Sequence, residues 1–247
     1  MAEEDPEEHR NIYASEIGRA INSFETSLQY VRFSISLLLG EALSRSGGTL
    51  ADGDIAWSRE EQDNLTPYGL LQMTDIILRN LEAKQVFSIA RNIVVHQARC
   101  VDNHLGDVVL AVLKSFDTAL EIRNILAHCS WDFPLMPGAS FDEGWSADTS
   151  RIRALRVTRR PSDDQGYEVR EISLIELLEA SKYLRAVERS LYGLSEFINL
   201  GQLTSDPEED NYIVRSWIEE NEKWLKRVQP PSILGNTRVE KSSPHGF

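Results

Sequence analysis

Cysteine is scarce in this chain: two residues in 247, Cys100 and Cys129. They form neither a disulfide framework nor a zinc-ligand spacing, so no structural metal is expected, and the expected compartment is a reducing cytosol. Long apolar runs are missing as well. The longest apolar-rich stretch, Phe33 to Leu39, is far too short to span a bilayer and has Arg32 against it, so no membrane partner is expected. The opening MAEEDPEEHR is acidic and lacks an apolar h-region, so no secretory signal is read there. Positive charge is in deficit, with 26 Lys and Arg against 39 Asp and Glu and a net charge of −13. That balance argues against whole-surface binding to nucleic acid or anionic lipid. The phosphate-cradling G-x-x-x-x-G-K-[ST], the nucleophile elbow G-x-S-x-G and the zinc-binding H-E-x-x-H are all absent. No cofactor is expected.

What the chain does have is helical periodicity. Apolar residues make up 41% of it, with a mean hydropathy of −0.33, the signature of a globular protein. Residues 1–9 read as a disordered acidic lead. From about Asn11 to Ser46, Ile12, Ile17, Ile21, Phe24, Leu28, Val31, Ile35 and Leu38 recur at helical spacing, and Gly47-Gly48 ends the pattern. Thr66-Pro67 opens a second helix, Tyr68 to Leu81. A third spans 84–101 and a fourth Leu105 to Ala127, the latter burying Val108, Val109, Val112, Leu113, Phe116, Leu120 and Leu126. Together, residues 10–131 are expected to form a helical bundle. Two prolines and two glycines follow Trp131, so 132–172 reads as a loop and then a β-hairpin, RIRALRVTRR and GYEVREIS joined by PSDDQ. Ser173 caps a strong amphipathic helix, and a last helix carries Ile213, Trp217 and Trp224. Residues 173–228 are thus closing helices of the same domain, and 229–247 a disordered tail. The expected fold class is mostly α, an antiparallel helical bundle with a small β-hairpin elaboration.

Two segments carry chemistry. The first is ALEIRNILAHCSW, in which Arg123-Asn124 precede His128 near the end of a long helix. The same R-N-x-x-x-H spacing occurs in Arg91, Asn92 and His96, where the stripe Gln85, Ser88, Asn92, His96, Arg99 and Asn103 reads chiefly as a solvated helix face. We favour the later copy because it lies where a helix ends, and a histidine there gains from the helix dipole. The second segment holds five arginines in ten residues, Arg151, Arg153, Arg156, Arg159 and Arg160, with no acid. In an acidic protein such a local patch can hold a phosphate chain, although a solvated strand face is the plainer reading.

On Arg123, Asn124 and His128 the chain resembles the HEPN superfamily, whose mark is an arginine, usually followed by a polar residue, and a histidine four to six residues on. The resemblance spans roughly residues 10–200. It implies metal-independent RNA cleavage in which the ribose 2′-OH attacks the adjacent phosphorus and leaves a 2′,3′-cyclic phosphate. His128 would be general base or acid, the roles an imidazole fills in proton transfer. Arg123 would neutralise charge on the phosphate oxygens with its planar fork of donors. Asn124 would orient the histidine or the phosphate. The resemblance also implies a homodimer that pairs two motifs, a toxin or antiphage setting, and a neutralising or sensor protein as a further partner.

A helical wheel puts Glu121, Asn124 and His128 on one polar stripe, which adds Glu121 to the catalytic candidates, and puts Arg123 about 140° away from His128. The arginine therefore has to reach, or to come from a second subunit. The structural alternative is a buried polar network of Glu121, Asn124 and His128 that fixes helix register. A non-catalytic RNA-binding or protein-interaction module is the competing functional reading. Exposure of His128 separates these: an enzyme needs it accessible and within reach of Arg123, whereas a register-fixing network needs it buried.

Overall fold

The computed structural model describes residues 6–46, 74, 76–132, 151–158, 166–200, 212–234 and 238–241. Among the described residues five long helices predominate: α1 (Pro6–Ser46), α2 (Ala83–Val101), α3 (Asn103–His128), α4 (Leu174–Asn199) and α5 (Tyr212–Arg227). Four strands, β1 (Ser130–Asp132), β2 (Arg151–Thr158), β3 (Gly166–Ser173) and β4 (Arg238–Lys241), form one antiparallel sheet in the order β1-β2-β3-β4. The fold is mostly α. No helix among the described residues is long and apolar enough to cross a membrane.

The molecule divides into two compact units. One comprises Met1–Phe24, Asp117–Ala186 and Gln229–Phe247, the other Glu25–Phe116 and Val187–Val228. In the first unit the core holds Tyr13, Phe24, Ile122, Leu126, Ile172 and Leu177, all under 2% exposed. A buried carboxylate, Glu16, is neutralised there rather than stranded: Arg19 pairs with it, Ser181 Oγ donates to it at 3.2 Å, and the Arg185 guanidinium lies 3.8 Å away. Burial raises the Tyr13 phenol above its ordinary range against an opposing hydrogen bond with the Leu174 backbone, and the Glu176 carboxylate adds to the rise. Ser173 caps α4 as its sequence suggests. Its backbone N–H and Oγ both donate to Glu176 Oε2, at 2.8 and 2.9 Å, and the Glu176 N–H returns to Ser173 Oγ at 3.2 Å.

In the second unit α2 and α3 form an antiparallel hairpin. Asp102 breaks the helix between them and accepts the His104 N–H at 2.8 Å, an N-cap for α3. Phe87, fourteen residues before the end of α2, then stacks on Phe116, thirteen residues after the start of α3. On α4 and α5, Trp217 donates its indole N–H to the Ser190 carbonyl at 3.0 Å and meets Phe197 edge-on, with centroids 5.2 Å apart.

Three expectations change. The first helix starts at Pro6, inside the segment read as a disordered lead, because proline costs nothing where the first-turn N–H has no intrahelical partner. The hairpin Arg151–Thr158/Gly166–Ser173 is present, but it is the middle of a larger sheet. The segment read as a disordered tail supplies β4, whose backbone pairs with β3, and a 3-10 turn, Ser232–Leu234, that buries Ile233. Of the expected helix Tyr68 to Leu81, only Thr74 and the residues from 76 onward are described, helical through Arg79. The linking turn PSDDQ and the loop 133–150 lie outside the described residues.

Candidate functional site

The site grows out of the way α3 ends. In its last turns Ile122, Ile125 and Leu126 are buried, at i, i+3 and i+4, and they fix which side faces the core. Arg123 and Asn124 therefore fall at the border of that face and are half-buried, whereas Glu121 and His128 are exposed. The helix stops because the chain turns directly into β1. Trp131, in that strand, donates its indole N–H to the Leu126 carbonyl at 3.2 Å, which satisfies one of the carbonyls left without an intrahelical partner. His128 is thereby held at the terminal residue of α3.

Arg123 ties the motif together. Its Nη1 lies 2.9 Å from His128 Nε2 and 3.4 Å from Asn124 Oδ1, and its guanidinium carbon is 5.8 Å from the centroid of the buried Phe24 ring. The wheel offset is overcome by the length of the arginine side chain within one chain, with no second subunit needed to bring the two groups together. A guanidinium has only donors, so the 2.9 Å contact requires Nε2 to accept. His128 is then a neutral ring with its proton on Nδ1. The ring is exposed, the arginine is braced on an aromatic face, and Asn124 shares the same donor.

The other motif residues are placed differently. Glu121 lies two turns from His128, roughly 10 Å along the axis. A buried network of Glu121, Asn124 and His128 does not fit, because the first and last are exposed. The earlier copy, Arg91, Asn92 and His96, belongs to the second unit and lines a hollow with Val95, Arg99 and Cys100. Arg99 and His104, a third Arg–His spacing that lacks the asparagine, are separated by the break at Asp102: Arg99 binds Asp107 at 3.1 Å, and His104 lies 3.1 Å from Glu222. Among the described residues no group of three His, Cys, Asp or Glu side chains is arranged to hold a metal ion.

The arginine strand is joined to the motif through the sheet. β1 follows His128 by two residues and pairs with β2, setting Asp132 opposite Arg153 and Trp131 opposite Ala154. On its other side β2 pairs with β3, setting Arg153 opposite Glu171, Arg156 opposite Glu168 and Arg151 opposite Ser173. Opposite charges at paired positions compensate one another. Arg153 thus has an acid in register on both flanking strands and Arg156 has one on β3, whereas Arg151 has a serine. Arg159 and Arg160 lie outside the described residues. Replacing Arg151 with glutamine is expected to weaken RNA binding more than replacing Arg153 or Arg156, and to flatten the salt dependence by about one unit of log–log slope. Filter binding across a salt series checks this; equal, negligible effects for all three would remove the strand from the interface.

Phe24 and Trp131 are the site residues that the sequence pattern does not single out. Phe24 reads only as a core position of the first helix, and Trp131 only as the residue before a loop. An aromatic three residues past a motif histidine was the available signal. The chain matches no family model, no curated protein and no solved structure.

Proposed function

We propose that the chain is a HEPN-like, metal-independent endoribonuclease of the cytoplasm, working as a homodimer in a toxin or antiphage setting. The observation that carries the reading is the Arg123 Nη1 to His128 Nε2 contact of 2.9 Å at an exposed helix terminus. A guanidinium and a neutral imidazole side by side are the two groups that 2′-OH transesterification needs. One neutralises charge on the phosphate oxygens, and the other moves a proton.

The contact also suggests an order of events. In the free protein Arg123 occupies the Nε2 lone pair. A bound phosphodiester offers the guanidinium two anionic oxygens, a better partner than a neutral ring nitrogen. As Arg123 turns to the phosphate, Nε2 is released and takes the proton of the attacking 2′-OH. The 2′-oxygen bonds to phosphorus, the bond from phosphorus to the 5′-oxygen breaks, and that oxygen takes a proton from water or from the now protonated His128. The products are a 2′,3′-cyclic phosphate and a 5′-hydroxyl. His128 supplies the base in this order or, once protonated, the acid; Asn124 steadies the guanidinium or the phosphate.

The competing reading, an RNA-binding or protein-interaction module without catalysis, is favoured by the same lone pair: as long as Arg123 holds Nε2, the ring accepts no other proton. A substrate test separates the two. An oligonucleotide cleaved at one position is made again with a single 2′-deoxy residue 5′ to that bond. Cleavage there is expected to vanish while binding is kept. Continued cleavage at the deoxy position contradicts 2′-OH chemistry.

A further inference from the structure

The open hollow on α2 is lined by Arg91, Asn92, Val95, His96, Arg99 and Cys100 and has a volume of about 360 Å3. We infer that it is a binding site for a phosphate group, carried either by a free nucleotide or by a nucleic-acid backbone. Four observations point the same way.

The first is charge. From Ala83 to Val101 the chain places no acidic residue, in a protein with 39 acids and a net charge of −13. The second is the donor set. Two guanidiniums, an amide and an imidazole line one open hollow, and no carboxylate is among its lining residues. Third, two of these donors are held in place by neighbours. Cys100 Sγ lies 3.7 Å from His96 Nδ1, a contact that orients the ring. Arg99 is pinned across the α2–α3 turn by Asp107 at 3.1 Å and lies flat against Gly106, where any side chain would collide with it. One ion pair leaves a guanidinium with further N–H groups to give. The fourth is size. The volume is more than an inorganic phosphate needs and lies at the low end of small-molecule pockets, about 300–1,000 Å3. Val95 supplies an apolar lining against which a base or ribose can rest.

This site is independent of the cleavage reading, and so is its test. Histidine ring signals of the full-length protein are followed by NMR at low salt while four probes are added: inorganic phosphate, 5′-AMP, adenosine and the dinucleoside monophosphate ApA. Phosphate and 5′-AMP are expected to move the His96 ring signals, and adenosine is not. Asn92→Asp changes an exposed residue without changing its size and puts an anion beside the hollow; it is expected to lower 5′-AMP affinity by about tenfold or more. His96→Gln is expected to act in the same direction. Lys84→Gln, which removes a charge from the same helix outside the hollow, is expected to change affinity less than about twofold. Tighter binding of 5′-AMP than ApA identifies a free nucleotide as the source, and the reverse identifies a nucleic-acid backbone. Adenosine binding as well as 5′-AMP, unmoved His96 signals with every phosphate probe, or unchanged affinity in a folded Asn92→Asp protein would each overturn the proposal.

Discussion

Replacing Arg123 with alanine is expected to lower kcat/KM for RNA cleavage by roughly 100- to 1,000-fold, and lysine at the same position is expected not to restore it. The geometry asks three things of this side chain. It reaches His128 Nε2 at 2.9 Å, it approaches Asn124 Oδ1 at 3.4 Å with the same nitrogen, and its planar head sits over the Phe24 ring. Lysine offers a point charge without the fork of donors, so it cannot brace on the ring and serve two acceptors at once. Stability should respond far less than rate, because a half-buried cation over one aromatic face contributes about 0.5–1 kcal/mol. The check pairs steady-state cleavage with urea unfolding of the same proteins. A rate loss under about threefold in Arg123→Ala, or near-full activity in Arg123→Lys, removes the guanidinium from the chemistry.

Gly193→Ala is expected to destabilise the protein by about 1–3 kcal/mol, although alanine in place of a mid-helix glycine ordinarily stabilises by up to about 1 kcal/mol. The reversal comes from Trp217. A Cβ at position 193 would stand 2.7 Å from its Cδ1 and 3.0 Å from its Nε1. The indole has little freedom to yield, since its N–H is bonded to the Ser190 carbonyl and its ring lies against Phe197. Either the hydrogen bond opens inside a buried region, or α4 and α5 move apart. Urea midpoints for wild type and variant decide the sign; a stabilised variant would mean that the indole shifts freely, against the packing described.

Where the pattern was long and regular, the fold was legible. Val94 and Ala90 on α2, Val109 to Phe116 on α3 and Leu184 to Phe197 on α4 are buried as their spacing predicts, since a three-turn stripe leaves one way to hide itself. Ser173 was legible as a cap because its partner Glu176 lies three residues on, a purely local relation. The edge strands were not. Ser130–Asp132 is too short to show alternation, and Arg238–Lys241 pairs with a strand some seventy residues earlier, information that no local window holds. Arg123 and His128 were legible as a motif, but not as a contact. A wheel measures angle at the backbone, and a side chain as long as arginine crosses that angle. The pairing of Arg153 with Asp132 and Glu171 was likewise hidden, because it depends on strand register rather than composition.

The most direct test of the ribonuclease reading is incubation of total RNA with purified protein in EDTA, wild type beside His128→Ala. Because His128 is exposed, the variant is expected to fold like wild type. Fragments ending in 2′,3′-cyclic phosphate are expected from the wild type and intact RNA from the variant. Fragments of the same ends and yield from both proteins would contradict it, and intact RNA from both would leave the chain as a binding module.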